Sequence, residues 1–202
     1  MESHLRAWAV APIAAAVTAF GLVACGGGSS PSPTPTGAPS PSASGIVLSA
    51  ATLSTDDFSN GATADSPIDV PDLTQVKCTP NQATGMQQQF KSEVTAASGR
   101  VYGNVVTGFD TAADANTFMQ QAFTATRSCS DASSQPVQDT FGMYSFYYTI
   151  HGSPTDLTIE AVQLDKYVSV VIQYLPSGTP GDLQSLRSLV QASVNKLQNV
   201  NS

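Results

Sequence analysis

Charged side chains are scarce in this sequence, and basic ones are the scarcest: eight Lys and Arg stand against fifteen Asp and Glu in 202 residues, a formal net charge of −7. Phosphate backbones are held by clustered Lys and Arg, and no cluster occurs here, so nucleic acid is excluded as a partner. The acidity also opposes electrostatic attachment to an anionic membrane, so any attachment has to come from apolar groups. Histidine occurs only as His4 and His151, too few for a paired metal site. Neither a Gly-x-Ser-x-Gly elbow nor a Walker phosphate loop is present. Long apolar runs are missing as well. The stretch 7–20, rich in Ala and Val, is interrupted by Pro12 and Thr18 and falls short of the roughly 20 residues that a spanning helix needs.

Cysteine is rare but informatively placed. Arg6 opens a short polar start, the apolar stretch follows, and then comes Leu22-Val23-Ala24-Cys25. A basic start, an apolar centre and small residues before a cut describe a secretory signal. An ordinary signal peptide or an uncleaved anchor would not require a cysteine directly after Leu-Val-Ala. That placement resembles the bacterial lipobox. The resemblance implies a signal peptide over 1–24, cleavage before Cys25, and acylation of that thiol as the new N-terminus. The protein is then expected on the extracytoplasmic face of the cell membrane, held by its acyl anchor.

Residues 26–45 are almost all Gly, Ser, Pro, Thr and Ala, with Pro31, Pro33, Pro35, Pro39 and Pro41 spaced along them. Such a composition buries too little apolar area to offset the entropy of folding. Alternating prolines favour an extended chain rising about 3.1 Å per residue, so Cys25 and this tether together (25–45) reach roughly 60 Å at most. Thr34 and Thr36 are candidate sites for O-linked sugar, with a bare spacer the preferred reading.

The folded part is expected over 46–202, the size of one domain. With Cys25 committed to lipid, Cys78 and Cys129 remain, and two cysteines in an exported domain are expected to form a disulfide. Closing that loop of about 50 residues contributes on the order of 4 kcal/mol in the chain-entropy model. A metal site is the competing use, but one histidine and this Cys spacing do not suit zinc. No metal or cofactor is expected.

Turn formers dominate 45–77, where loops and a short helix near 54–58 are expected. Met86, Phe90 and Val94 fit either a helical or an alternating spacing. Ser98-Gly99-Arg100 reads as a turn, and 101–109 as a strand of β-branched and aromatic residues. Thr111-Ala112-Ala113-Asp114 carries a capping-box pattern, followed by a helical face of Ala115, Phe118, Met119, Ala122 and Thr126. Thr179-Pro180-Gly181-Asp182 predicts a second capped helix, with Leu186, Leu189, Val190, Ser193, Val194 and Leu197 on one face. Between them lie strands at 141–150, 157–164 and 167–175, the last two joined by an Asp165-Lys166 turn. Ser169 and Gln173 alternate with Val168, Val170, Ile172 and Tyr174, which predicts one packed and one wet sheet face. The expected class is α+β: an antiparallel sheet of about four to six strands with helices packed against it.

The succession Val101-Tyr102-Gly103-Asn104-Val105-Val106, the capped helix ending at Cys129, the late hairpin and the C-terminal helix resemble the extracellular sensor-like domain of a mycobacterial serine/threonine kinase, over about 46–198. The chain is also somewhat similar to actinobacterial lipoproteins of the PsbP-like fold. These resemblances imply a binding or sensing module of the cell envelope, carrying no kinase.

Catalytic candidates are few. His151 is the one candidate base for a hydroxyl nucleophile, and a lone His beside Gly152 reads first as a solvated loop residue. Glu160 and Asp165 read as solvating acids. With so few titratable groups an enzyme is not expected; a hydrolase would have to run on carboxylates that the sequence does not pair. Two non-catalytic readings stay open. Tyr144, Phe146 and Tyr148 on one strand face, joined by Phe109, Phe118 and Phe123, either fill the core or line a cavity for a lipid, glycolipid or other apolar envelope molecule. Alternatively, the Gln- and Thr-rich surface meets another envelope protein.

Overall fold

The computed structural model describes residues 48–67, 70–136, 144–152 and 154–200. The leader, Cys25 and the tether lie outside these residues, as do 141–143 of the expected strand. The elements are β1 (Thr63–Asp65), β2 (Met86–Thr95), β3 (Val101–Phe109), α1 (Ala112–Ser128), β4 (Ala132–Pro136), β5 (Tyr144–Ile150), β6 (Thr155–Leu164), β7 (Tyr167–Pro176) and α2 (Leu183–Val200). Three 3-10 turns (Leu48–Ala51, Thr55–Asp57 and Leu73–Gln75) precede β2.

The class is α+β, and the sheet is antiparallel with order β1-β2-β3-β7-β6-β5-β4. Seven strands replace the expected four to six. Met86, Phe90 and Val94 resolve as strand. The two outermost strands escaped the sequence for a physical reason. The first spans three residues, and the other is Ala-Ser-Ser-Gln-Pro, a composition poor in the β-branched and aromatic residues that mark strands. The hairpin between β6 and β7 turns at Asp165-Lys166 as expected, with Leu164 opposite Tyr167 and Asp165 at φ 52°. Aspartate tolerates that left-handed backbone better than most residues.

One helix covers each face. Beneath α1, Ala115, Phe118, Met119 and Ala122 join Val105, Ile159, Val168, Val170 and Ile172 in one buried layer. On the opposite face Leu186, Leu189, Val190 and Val194 of α2 pack on Tyr102, Val162 and Val171. The N-terminal segment wraps the β1 edge. Leu48, Ala51 and Leu53 are buried on the α2 face, while Val70, Leu73 and Val76 are buried under α1.

The expected wet face is therefore dry. Ser169 and Gln173 are 0% exposed, because α2 and residues 48–58 lie over them. Their polarity is matched rather than solvated. Asn104 takes the Leu53 N–H on its oxygen at 3.0 Å and donates to Ser169 Oγ at 3.1 Å. Ser169 shares a 2.8 Å hydrogen bond with Ser193 of α2. Gln173 donates to the Tyr102 hydroxyl and accepts the Asp182 N–H, both at 2.9 Å. Buried polar groups satisfied in this way avoid the desolvation cost and fix how the layers dock.

Helix starts follow side-chain capping. Thr111 Oγ1 accepts the Asp114 N–H at 3.1 Å, as the sequence predicts for α1. The start of α2 is displaced from the expected Thr179 to Asp182, whose carboxylate takes the Ser185 N–H at 3.1 Å and the Ser185 hydroxyl at 2.9 Å. Those bonds, with Arg100 at 2.6 Å, hold the Asp182 carboxyl below the usual range. Gly181 explains the delay. A Cβ there would stand 2.6 Å from Thr158 Oγ1, so the chain crosses β6 in contact and turns helical only after it.

Candidate functional site

The six rings expected to fill a core or line a pocket come together under α1. Phe109, Phe118, Phe146 and Tyr148 are 1–3% exposed, and Phe123 and Tyr144 are half-buried against them. Phe123 meets Phe146 edge-on at 5.4 Å between centroids, Phe146 stacks on Tyr148 at 5.6 Å, and Phe109 meets Phe118 at 5.8 Å. These are contact distances for aromatic pairs, so the rings themselves occupy this layer as core. Burial pushes the Tyr148 hydroxyl well above its ordinary pKa, keeping that phenol neutral.

A surface groove lies on the other face. Tyr147 alternates with its neighbours and points away from their aromatic layer, toward the flank of α2. With Leu183, Gln184, Arg187, Ser188 and Gln191 it lines an open groove of about 740 Å³. The lining is mostly apolar, and Leu183, at 39% exposed, is one of few large apolar side chains in solvent among the described residues. The residues at 184, 187, 188 and 191 form one helical stripe, so α2 supplies a wall and β5 a floor. Sequence periodicity missed this site because Leu183 stands three residues before Leu186 and reads as buried. The legible signal was the Tyr147-Tyr148 doublet, which puts a ring on each sheet face.

The catalytic candidates do not converge. His151 is exposed, with Nδ1 3.5 Å from Asp156. Asp156 is itself buried and structural: its carboxylate accepts the Gly152 and Gly178 N–H groups, each at 2.9 Å. Glu160 is buried midway along β6, not solvated as expected, and Asp165 sits in the turn beyond the strand's end, about 16 Å along an extended chain. Among the described residues no group of three or more His, Cys, Asp or Glu is placed to hold a metal ion, and no helix is long and apolar enough to cross a membrane.

The two backbone N–H bonds, aided by His151, lower the Asp156 pKa below its ordinary 3.8. A carboxyl with a depressed folded-state pKa stabilises the fold above its unfolded value, and that contribution is lost as pH falls through the folded value. Asp156→Ala is therefore expected to lower the urea midpoint at pH 7. The gap to the unsubstituted protein should close as pH falls from about 4 through the more acid range where the folded-state Asp156 protonates. A gap that stays constant down to pH 2 would show that the carboxylate's charge is not what these N–H groups use.

Cys78 and Cys129 are joined in a disulfide, with Cα atoms 5.7 Å apart, as the sequence predicts. The bridge ties the segment leading into β2 to the C-terminal end of α1.

No family model matches this chain, and no curated protein does. Among solved structures, the extracellular domain of PknH from Mycobacterium tuberculosis is similar at a TM-score of 0.43 and 12% identity, over 69% of this chain and 77% of that one. A likeness of that size records a structural neighbour, and no functional reading rests on it.

Proposed function

We propose that this chain is a lipid-anchored, extracytoplasmic binding module without catalytic activity, presenting the groove between β5 and α2 to an amphipathic envelope molecule such as a lipid or glycolipid. The anchor half of this reading rests on Cys25 after Leu-Val-Ala and on the proline-rich tether, features of the sequence alone. A disulfide-bonded domain suits an oxidising compartment outside the cytoplasm. The binding half rests on one observation: an apolar groove whose volume falls in the range of small-molecule sites, with Leu183 exposed at its mouth. Leu183 and the Tyr147 ring supply surface for an acyl chain, and Gln184, Gln191 and Arg187 supply polar contacts for a headgroup.

The test is native mass spectrometry of the exported protein, followed by titration with a fluorescent long-chain fatty acid. A dissociable lipid mass and saturable binding support the proposal. Leu183→Asp places a charge on the apolar wall and should weaken binding about tenfold or more, equivalent to about 1.4 kcal/mol. Equal affinity in both proteins removes the groove as the site. A bare mass with no saturable binding favours the alternative, a protein-interaction module of the envelope.

A further inference from the structure

Residues 70–79 are built as a separable piece. Their hydrogen bonds close largely within the segment: Gln75 N–H and Val76 N–H reach Asp72 O, Thr79 N–H reaches Val76 O, and the Thr79 hydroxyl bonds to Leu73 O and Val76 O. Leu73 and Val76 drop from it into the apolar layer that holds Phe109, Phe118 and Met119.

The two ends are held differently. At the first, Lys91 donates to Val70 O at 2.8 Å and pairs with Asp72 at 2.6 Å, and the Gln89 amide, with its nitrogen toward Asp72, takes the Leu73 N–H at 3.1 Å. Val70 also seats on Gly103 of β3, where a Cβ would stand 3.1 Å from its methyl carbon. At the second end stand the Cys78–Cys129 disulfide and the Lys77–Asp131 ion pair, whose side chains are 55% and 50% exposed. Exposed pairs of that kind hold little. Cys78 has φ 67°, a left-handed backbone that L side chains avoid, and both cysteines are half-buried.

We infer that residues 70–79 are a redox-latched strap: reduction of Cys78–Cys129 by a dithiol frees its C-terminal end to lift off α1 while the Lys91 end stays as the hinge. In the reaction a thiolate of the dithiol attacks one sulfur, forming a mixed disulfide and releasing the other cysteine as a thiolate. The reagent's second thiolate then attacks the reagent sulfur of that mixed disulfide, closing the reagent's own disulfide and displacing the remaining cysteine as a thiolate. Two electrons end on Cys78 and Cys129 as thiols, and the reagent leaves as its own disulfide. Once the bridge opens, Cys78 relaxes from its left-handed backbone and Val76 is withdrawn from the layer it covers, while Leu73 stays with the hinge. The latch thus governs how closely the apolar layer under α1 is covered, on the side of the sheet opposite the groove.

Hydrogen exchange on the full-length protein tests this, with and without dithiothreitol, the thiols being counted by alkylation without denaturant. Peptides covering 70–80 are expected to exchange at least tenfold faster after reduction, while β3, β6 and β7 keep their protection. The Cys78→Ser, Cys129→Ser double variant should behave like the reduced protein without any reductant. Lys77→Ala with the disulfide intact should behave like the oxidised one. Unchanged exchange at 70–80 in fully reduced protein overturns the strap, as does equal acceleration across the whole sheet. A disulfide that the dithiol does not reduce in the native protein overturns the switch.

Discussion

Cys25→Ala is expected to shift the protein from the membrane fraction to the soluble fraction and to remove the diacylglyceryl mass from its N-terminus. The thiol is the group that would be alkylated, and alanine offers no nucleophile in its place. Each acyl CH₂ buried in a bilayer is worth about 0.8 kcal/mol, and two chains give stable attachment where a single chain gives only a reversible one, of order 10⁴ M⁻¹. Losing both therefore removes an association stronger than that single-chain constant. Among the described residues nothing replaces it. The formal charge is −7, which an anionic surface repels, and no helix among the described residues is long and apolar enough to span. Fractionation followed by mass analysis of the N-terminal peptide checks the expectation. A variant that sediments with membranes as fully as the unsubstituted protein would mean that the leader itself holds the chain, and the acyl anchor would be withdrawn.

Such a result would bear on residues 1–45, which lie outside the described ones. Residues 1–45 are legible through composition and the Leu22-Val23-Ala24-Cys25 tetrapeptide, the fold through periodicity. The periodic reading worked where the signal was local. Thr111 and Asp114 mark the start of α1 by a cap made within four residues, and Asp165-Lys166 marks a hairpin by the turn itself. It failed where polarity was satisfied from afar. Ser169 and Gln173 look solvent-facing by type, and only the fold brings Asn104, Ser193, Tyr102 and Asp182 to them from as far as 71 residues away. The dry second face, and with it the placement of α2, could not be read from hydrophobic alternation because a matched polar pair buries as quietly as an apolar one. Tyr147 and Leu183 escaped for the same reason in reverse: each belongs to an apolar pattern, yet the groove needs them at the surface. The sheet's edges were lost because β1 and β4 are short and carry few residues of strong strand preference.

Phe146→Ala is expected to show the cost of opening the aromatic core that these ring contacts close. Phe146 is 1% exposed and touches the rings of Phe123, Tyr144 and Tyr148 at centroid distances of 5.4, 6.1 and 5.6 Å. Deleting a ring from so closed a site removes its transfer free energy and leaves a cavity that the neighbours only partly fill, a loss of about 3–5 kcal/mol. Domains of this size are stable by only about 5–15 kcal/mol, so the loss consumes a large share of the total. With urea slopes of about 1–3 kcal/mol/M, the midpoint should fall by roughly 2 M. Phe123→Ala should cost less, since that ring is half-buried and partly shielded by the Arg127 guanidinium 5.7 Å above it. If the rings instead lined a ligand space, removing Phe146 would enlarge an existing recess, and the midpoint would move by less than about 0.5 M. The ratio between the two variants matters more than either value. Core packing makes Phe146 the costlier by at least twofold, because cost follows closure of the site around the missing ring.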